Sequence, residues 1–356
     1  MKEKLLAYMD AHDMDGFYIT RKENVRFISG YTGDDSTLLI TKSACYFLTD
    51  PRYTEQAAAE CPDFTIVNWR ELALKQGTGY AAAYLAKKHG LKAVGFEASS
   101  MTYADYMGFN GNMENTPIPT TGVIEELRIF KTPREIECLR AACQISCRAF
   151  ERIIKDIRVG VTEKELAAKL ALYMVQEGAD TQPYGNILIS GARTSLLHGI
   201  PSAKAVEYGD LVLMDFGCQY KGYLSDMTRT VVVGTPTQKQ REVYALEKRM
   251  LEDSLDAMKP GAKMSEVYAA SIKAIEGTEY FPYHYTGIGH GIGLFVHEPP
   301  FMGPGREELL IAGSVRTIEP GLYIPGWGGV RIEDQVLITE NGYENMISVT
   351  HDLIEL

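Results

Sequence analysis

Three short patterns recur in the same order about a hundred residues apart, and this duplication constrains the fold beyond residue 125 more than any other feature of the chain. "GVTEKELA" at 160 and "GAKMSEVY" at 261 share a glycine followed five residues later by glutamate, as a turn leading into a helix does. "HGIP" at 198 and "HEPP" at 297 share H-x-x-P, and "GDLVLMDFG" at 209 and "GSVRTIEPG" at 313 share two glycines and an acid at fixed spacing. A segment written twice is expected to fold into two similar halves in a pseudo-twofold arrangement.

Each half carries a pair of acids. "LVLMDFGCQYKGYLSDMTRTVVVG" reads as strand, turn and strand, and a turn centred on Tyr220 and Lys221 sets Asp215 opposite Asp226. "RTIEPGLYIPGWGGVRIEDQVLIT" repeats the plan, and a loop centred on Gly326 sets Glu319 opposite Glu333. Facing residues of an antiparallel ladder project from one face, and like charges there repel. Any one of these acids alone reads as a solvated strand residue. Four of them, paired and repeated in strand-lined surroundings, call for a cation, because buried charge must be paired or metal-bound.

"TGIGHGIGLFVHEPP", residues 286–300, sets His290 among alternating glycines. Ile292 and Leu294 stand where a dinucleotide-binding motif needs its third glycine, so the stretch reads as a strand thinned to leave room for metal and substrate. Counting back from the paired histidines sets Gly191 opposite His290, so His290 has no counterpart and is the candidate imidazole ligand. Oxygen-rich donors, one imidazole and no thiolate suit manganese, cobalt, iron or zinc, and manganese or cobalt is expected first, with zinc or iron as alternatives. Five side chains can hold two such ions through shared carboxylates, which is equipment for hydrolysis.

Residues 1–127 read as a separate α/β domain with a mixed sheet. Strands are expected at "GFYIT", "STLLIT", "ACYFLT", "FTIVNW" and "AVGFE", and helices at "KEKLLAYMDAH", "PRYTEQAAAE", "RELALKQGTGYAAAYLAKKHG" and "MTYADYMGF". No phosphate loop or metal-ligand cluster occurs in it, so its expected work is to shape a pocket or make an oligomer contact. After "ENTPIPTTG" the segment "VIEELRIFKTPREIECLRAACQ" is expected to begin a long helix with Pro133 near its first turn, opening a second domain over 128–356. A net charge of -11 argues against a nucleic-acid partner. The absence of a long apolar run argues against a membrane span. An N-terminus without a signal-peptide core, and six cysteines that form no CxxC pair, lead to the expectation of a cytoplasmic protein with reduced thiols.

The stretches "LLHGIPS", "MDFGCQYKGYLSDMTRT", "GIGHGIGLFVHEPP" and "IEPGLYIPGWGGVRIED", with the helix start "ELRIFKTPREIECLRAA", resemble the pita-bread metallopeptidases. This is the group of methionine aminopeptidase, aminopeptidase P, prolidase and creatinase. "ENVRFISGYTG" and "TDPRYTEQA" are similar to the amino-terminal domain of the aminopeptidase P, prolidase and creatinase branch. The resemblance implies a creatinase-like α/β domain followed by a pseudo-twofold pita-bread domain. It implies a dinuclear metal-dependent exopeptidase for Xaa-Pro bonds, acting on small peptides, as a homodimer. It makes Asp215 a ligand of one metal, Asp226 and Glu333 bridges, and His290 and Glu319 ligands of the other. It gives His198 and His297 to the substrate and the tetrahedral intermediate, Arg331 to support of the site, and proton transfer to Glu333. The sequence departs from the branch at Thr286, where a further histidine is common, and at Phe295, where an acid is frequent; His284 substitutes for that histidine only if the strand is offset. These departures keep open a hydrolase of a small non-peptide C–N substrate, with a non-catalytic binding protein as the other alternative.

Overall fold

Apolar runs too short for helices build the first sheet: every residue of Gly16–Ile19, Thr37–Thr41 and Cys45–Thr49 is buried. A strand buried on both faces needs cover on both. Phe17, Ile19 and Phe47 pack on one side with Leu5 and Met9 of helix Lys2–Ala11. Tyr18, Leu39 and Leu48 pack on the other with Ala81 and Leu85 of helix Thr78–Lys88. The computed structural model describes residues 2–72, 77–181 and 185–356, and the chain divides into two units, Met1–Arg128 and Ile129–Leu356.

The sheet of the first unit runs Thr65–Asn68, Cys45–Thr49, Thr37–Thr41, Gly16–Ile19, Val94–Glu97, Ile118–Thr120, with parallel and antiparallel pairs. It is the mixed sheet expected from the sequence. Two elements were not expected: the helix Lys22–Ser29 and the strand Ile118–Thr120, which lies in "ENTPIPTTG". Pro119 is tolerated there because the strand is an edge, pairing only with Val94–Glu97. The helix expected over residues 70–90 is Thr78–Lys88, and residues 73–76 of that expectation lie outside the described residues. The long helix expected after residue 122 is two helices, Val123–Ile129 and Pro133–Ile153. Pro133 pushes Thr132 out of the helical region, and Thr132 becomes an N-cap with a reciprocal bond to Glu135.

The second unit is built twice. Helices Pro133–Ile153 and Gln238–Ala257 open the halves, capped by Thr132 with Glu135 and by Thr237 with Gln240. Helices Glu163–Gln176 and Met264–Ile272 follow the matched glycines Gly160 (φ 91°) and Gly261 (φ 82°), in a conformation that only glycine adopts cheaply. The amides of these glycines donate to Val206 O and Leu310 O, 2.9 Å each, and Val206 and Leu310 donate back to Val161 and Ala262. The three-stranded sheet of the first half holds Ile187–Ser190, Leu211–Phe216 and Met227–Val232; the five-stranded sheet of the second holds Gly289–Gly291, Val315–Ile318 and Asp334–Ile338 in the same order.

The hairpin registers differ from expectation in one half and agree in the other. In the second, Ile318 faces Asp334 and Gly321 faces Arg331, so Glu319 and Glu333 are opposed as the loop centred on Gly326 requires. In the first, Tyr220 faces Tyr223 and Asp215 faces Thr228, not Asp226. The turn residues are Lys221 (φ 49°) and Gly222 (φ 88°), one position later than the sequence placed them. A one-residue shift of the turn slides the ladder by two, and side chains alternate with period 2. Asp226 therefore stays on the face of Asp215, placed diagonally.

Candidate metal centre

Strand register also fixes what stands opposite His290. Gly291 pairs with Arg316, and Ser190 pairs with Val212, which occupies the same place in its own repeat. The counterpart of His290 is therefore Ile189, not Gly191 as counting through the loops had given. His290 remains the single imidazole at its level, because the counterpart carries no donor.

The ligand atoms of Asp226, His290 and Glu333 all lie within 4.8 Å of one another, and all three residues are buried. His290 Nε2 stands 3.3 Å from Glu319 Oε1 and 3.7 Å from Asp226 Oδ2. Its other nitrogen, Nδ1, is 2.9 Å from Gly291 O, which can only accept, so Nδ1 carries the hydrogen. Burial lowers His290 to about 4, so the ring is neutral and Nε2 presents a lone pair to two carboxylates. Such a set of acceptors suits a bound cation. Glu333 Oε1, buried and without a hydrogen-bond partner among the described residues, points to the same need. Burial, opposed by Arg331 and reinforced by Asp215, lifts Glu319 to about 7. Burial, with Asp226, Glu319 and Asp215 adding their charge, lifts Glu333 well above the usual carboxylate range.

A layer of donors holds the acids in place. Arg331 bonds Asp215 through Nη2, Tyr323 OH through Nη1 at 2.7 Å, and Thr228 Oγ1 through Nε at 3.2 Å. Thr228 in turn donates to Glu333 Oε2 at 2.7 Å. Tyr323 and Thr228 were not singled out in the sequence, although Thr228 shares the face of Asp226 by simple alternation.

All eight residues proposed from the sequence line one cavity of about 540 Å³: His198, Asp215, Asp226, His290, His297, Glu319, Arg331 and Glu333. His297 packs edge-on against His290, ring centroids 4.6 Å apart. Burial lowers the pKa of His297, with Asp215 opposing and the charge of nearby His198 adding. Ile187, Leu197, Ile200, Val296 and Tyr285 supply an apolar wall. Among the described residues, Thr286, Phe295 and His284 are not part of that lining. His284 is bonded at both ring nitrogens, to Tyr268 OH at 2.9 Å and Phe281 O at 2.6 Å, so it does not replace a histidine at position 286.

Residues 137–340 match the Metallopeptidase family M24, and residues 2–130 match the Creatinase/Prolidase N-terminal domain. The chain belongs to metallopeptidase family M24. Its resemblance to the proline-specific branch extends over the full length. It is 34% identical to an Xaa-Pro dipeptidase of Pyrococcus furiosus, over 99% of both chains. Among solved structures it superposes on an Xaa-Pro dipeptidase from Bacillus anthracis with a TM-score of 0.94 at 37% identity, covering 100% of this chain and 99% of that one. An X-Pro aminopeptidase from Thermotoga maritima gives 0.87 at 31% identity, covering 97% and 98%. The M24 assignment accounts for the duplicated fold, and a family of metallopeptidases uses divalent metal ions, as the acceptor cluster requires.

Proposed function

We propose that this chain is a dinuclear metallo-exopeptidase that hydrolyses the bond between an N-terminal residue and a following proline, using two divalent ions, manganese or cobalt first. The observation that carries the reading is the convergence of Asp226, His290 and Glu333 within 4.8 Å, joined in one cavity by Asp215 and Glu319. These five side chains, Asp215, Asp226, His290, Glu319 and Glu333, would hold the metals. Bound there, divalent ions act as Lewis acids and bring water into its nucleophilic form near neutral pH.

The chain's own groups supply the rest. Glu333 takes the proton of the attacking water and delivers it to the departing proline nitrogen. His198 and His297 line the same cavity and donate to the oxygen that gains charge in the tetrahedral intermediate. Burial keeps the pKa of His297 below its usual value, which favours the neutral ring, and a neutral imidazole still donates through its one N–H. Arg331 holds Asp215 by Nη2 and fixes Tyr323 against it, so Asp215 keeps one rotamer. The apolar wall around Ile187, Val296 and Tyr285 receives the proline ring. The reading includes a cytoplasmic homodimer acting on small peptides.

Hydrolysis of Ala-Pro and of a longer Ala-Pro peptide, with Mn²⁺ or Co²⁺ restored after chelation, tests the proposal. Cleavage of both makes the enzyme an aminopeptidase P, and cleavage of the dipeptide alone makes it a prolidase. No turnover of either by the metal-loaded protein refutes the reading and favours the non-peptide hydrolase.

A further inference from the structure

His198 belongs to the segment of residues 191–201, which opens with the 3₁₀ turn Gly191–Ser195, and its exposed ring makes no hydrogen bond of its own among the described residues. Whatever sets its position must act through the backbone that carries it. Both ends of that loop converge on one fully buried carboxylate, Glu163, the first residue of helix Glu163–Gln176. Oε1 accepts from the amide of Ser190 at 2.8 Å and its hydroxyl at 3.2 Å. Oε2 accepts from the amide of Ser202 at 2.8 Å and its hydroxyl at 2.7 Å. Arg193 lies across both oxygens at 3.2 Å each and reaches on to Ile200 O at 2.7 Å. The middle of the loop is pinned separately: Thr194 Oγ1 accepts from the Gly329 amide at 2.8 Å, two residues from Arg331.

We infer that Glu163 is the positioning residue for His198, closing the ends of its loop as a clasp. The inference rests on the role given to His198 in the preceding subsection. The repeat isolates the feature. Glu163 N–H donates to Lys204 O at 3.0 Å and Met264 N–H donates to Glu308 O at 3.0 Å, so Met264 is the counterpart and carries no charge. In the second half Glu298, the neighbour of His297, serves its own loop, accepting from the Phe295 amide at 3.1 Å and from Lys131 at 3.2 Å. The duplicated scaffold thus sets unrelated carboxylates beside its two histidine-bearing segments.

A glutamine cannot replace Glu163. Each carboxylate oxygen faces only donors, so either orientation of the amide sets its NH₂ against a backbone N–H. Glu163→Gln is expected to speed hydrogen exchange of the amides of residues 191–202 while leaving those of Val315–Ile318 and Asp334–Ile338, and the affinity for Mn²⁺, as in the wild type. On Ala-Pro, kcat/KM falls by about 10- to 100-fold, the scale of a catalytic group displaced by about 1 Å. In a His198→Ala background the same substitution costs less than about threefold, because the group it positions is gone. Ser202→Ala, which removes one donor and keeps the carboxylate held, gives the same pattern at a few-fold. Unchanged loop exchange in both variants overturns the inference. So does an equal loss in the two backgrounds, which marks Glu163 as merely structural. Full activity of His198→Ala instead refutes the role of His198, and the exchange measurement then reads the clasp by itself.

Discussion

Removing the divalent ions and raising the pH places the largest demand on the acid cluster. Glu319 is lifted from 4.5 to about 7 chiefly by burial, and Glu333 is lifted in the same direction by burial and its three acidic neighbours. A carboxyl whose pKa is higher folded than unfolded binds more protons in the folded state between those two values, so stability falls as pH rises through the window. The contribution of the Glu319 proton is fully present below about pH 4.5 and lost as pH passes about 7. At about 1.4 kcal/mol per pH unit the loss is about 3 kcal/mol, and Glu333 adds to it with the same sign, while His290, lowered from 6.5 to about 4, opposes both between those two values. For a catalytic unit of roughly 200 residues the Glu319 contribution alone corresponds to roughly 6–12 °C of melting midpoint, read as the difference between the wild type and Glu319→Gln. Scanning fluorimetry of the chelated protein between about pH 5 and about pH 8 reads the slope, and Mn²⁺ is expected to abolish it by taking the place of the protons. Glu319→Gln removes the Glu319 part of the slope without metal and forfeits most of the gain on adding it. A chelated wild type whose midpoint follows the same pH slope as Glu319→Gln across that window refutes the reasoning.

Three further substitutions test the layers around the cluster. Thr228→Val removes the donor to Glu333 and is expected to weaken Mn²⁺ binding about 10- to 100-fold by calorimetry. Arg229→Met strips a fully buried guanidinium from Asp334, Glu333 O, Thr228 O, Val349 O and Thr350 O, and is expected to cost about 3–5 kcal/mol in urea denaturation; a cost under about 1 kcal/mol contradicts that network. His284→Phe, which loses only bonds to Tyr268 and Phe281 outside the cavity, is expected to leave kcat/KM on Ala-Pro within about twofold.

The duplication was legible because it is written in backbone demands: Gly209 (φ 87°) and Gly313 (φ 83°) turn the chain into equivalent strands, and an acid follows each at the same distance. The second hairpin was placed in register because Gly326 (φ 77°) marks its turn. The first was misplaced because Lys221 takes a positive φ that lysine rarely adopts, and its amide is held there by Asp180. The assignment of Asp226 survived that error only because strand faces repeat every two residues. The counterpart of His290 was lost for a different reason, since it was counted through loops that differ in length between the halves. Tyr323 and Glu163 were invisible: one meets Arg331 and the other meets Ser202 only after the chain has folded. The edge strand at Pro119 was hidden by local chemistry that reads as a linker.

Asp215, Asp226, His290, Glu319 and Glu333 are proposed to hold two metal ions within one duplicated unit. Calorimetric titration of the chelated protein with Mn²⁺, paired with the same titration of Asp226→Asn, tests it most directly. The account predicts about two ions per chain in the wild type, as for a two-metal hydrolytic site, and loss of at least one of them in the variant. Full binding of two ions by Asp226→Asn, or no binding by the wild type, would contradict it.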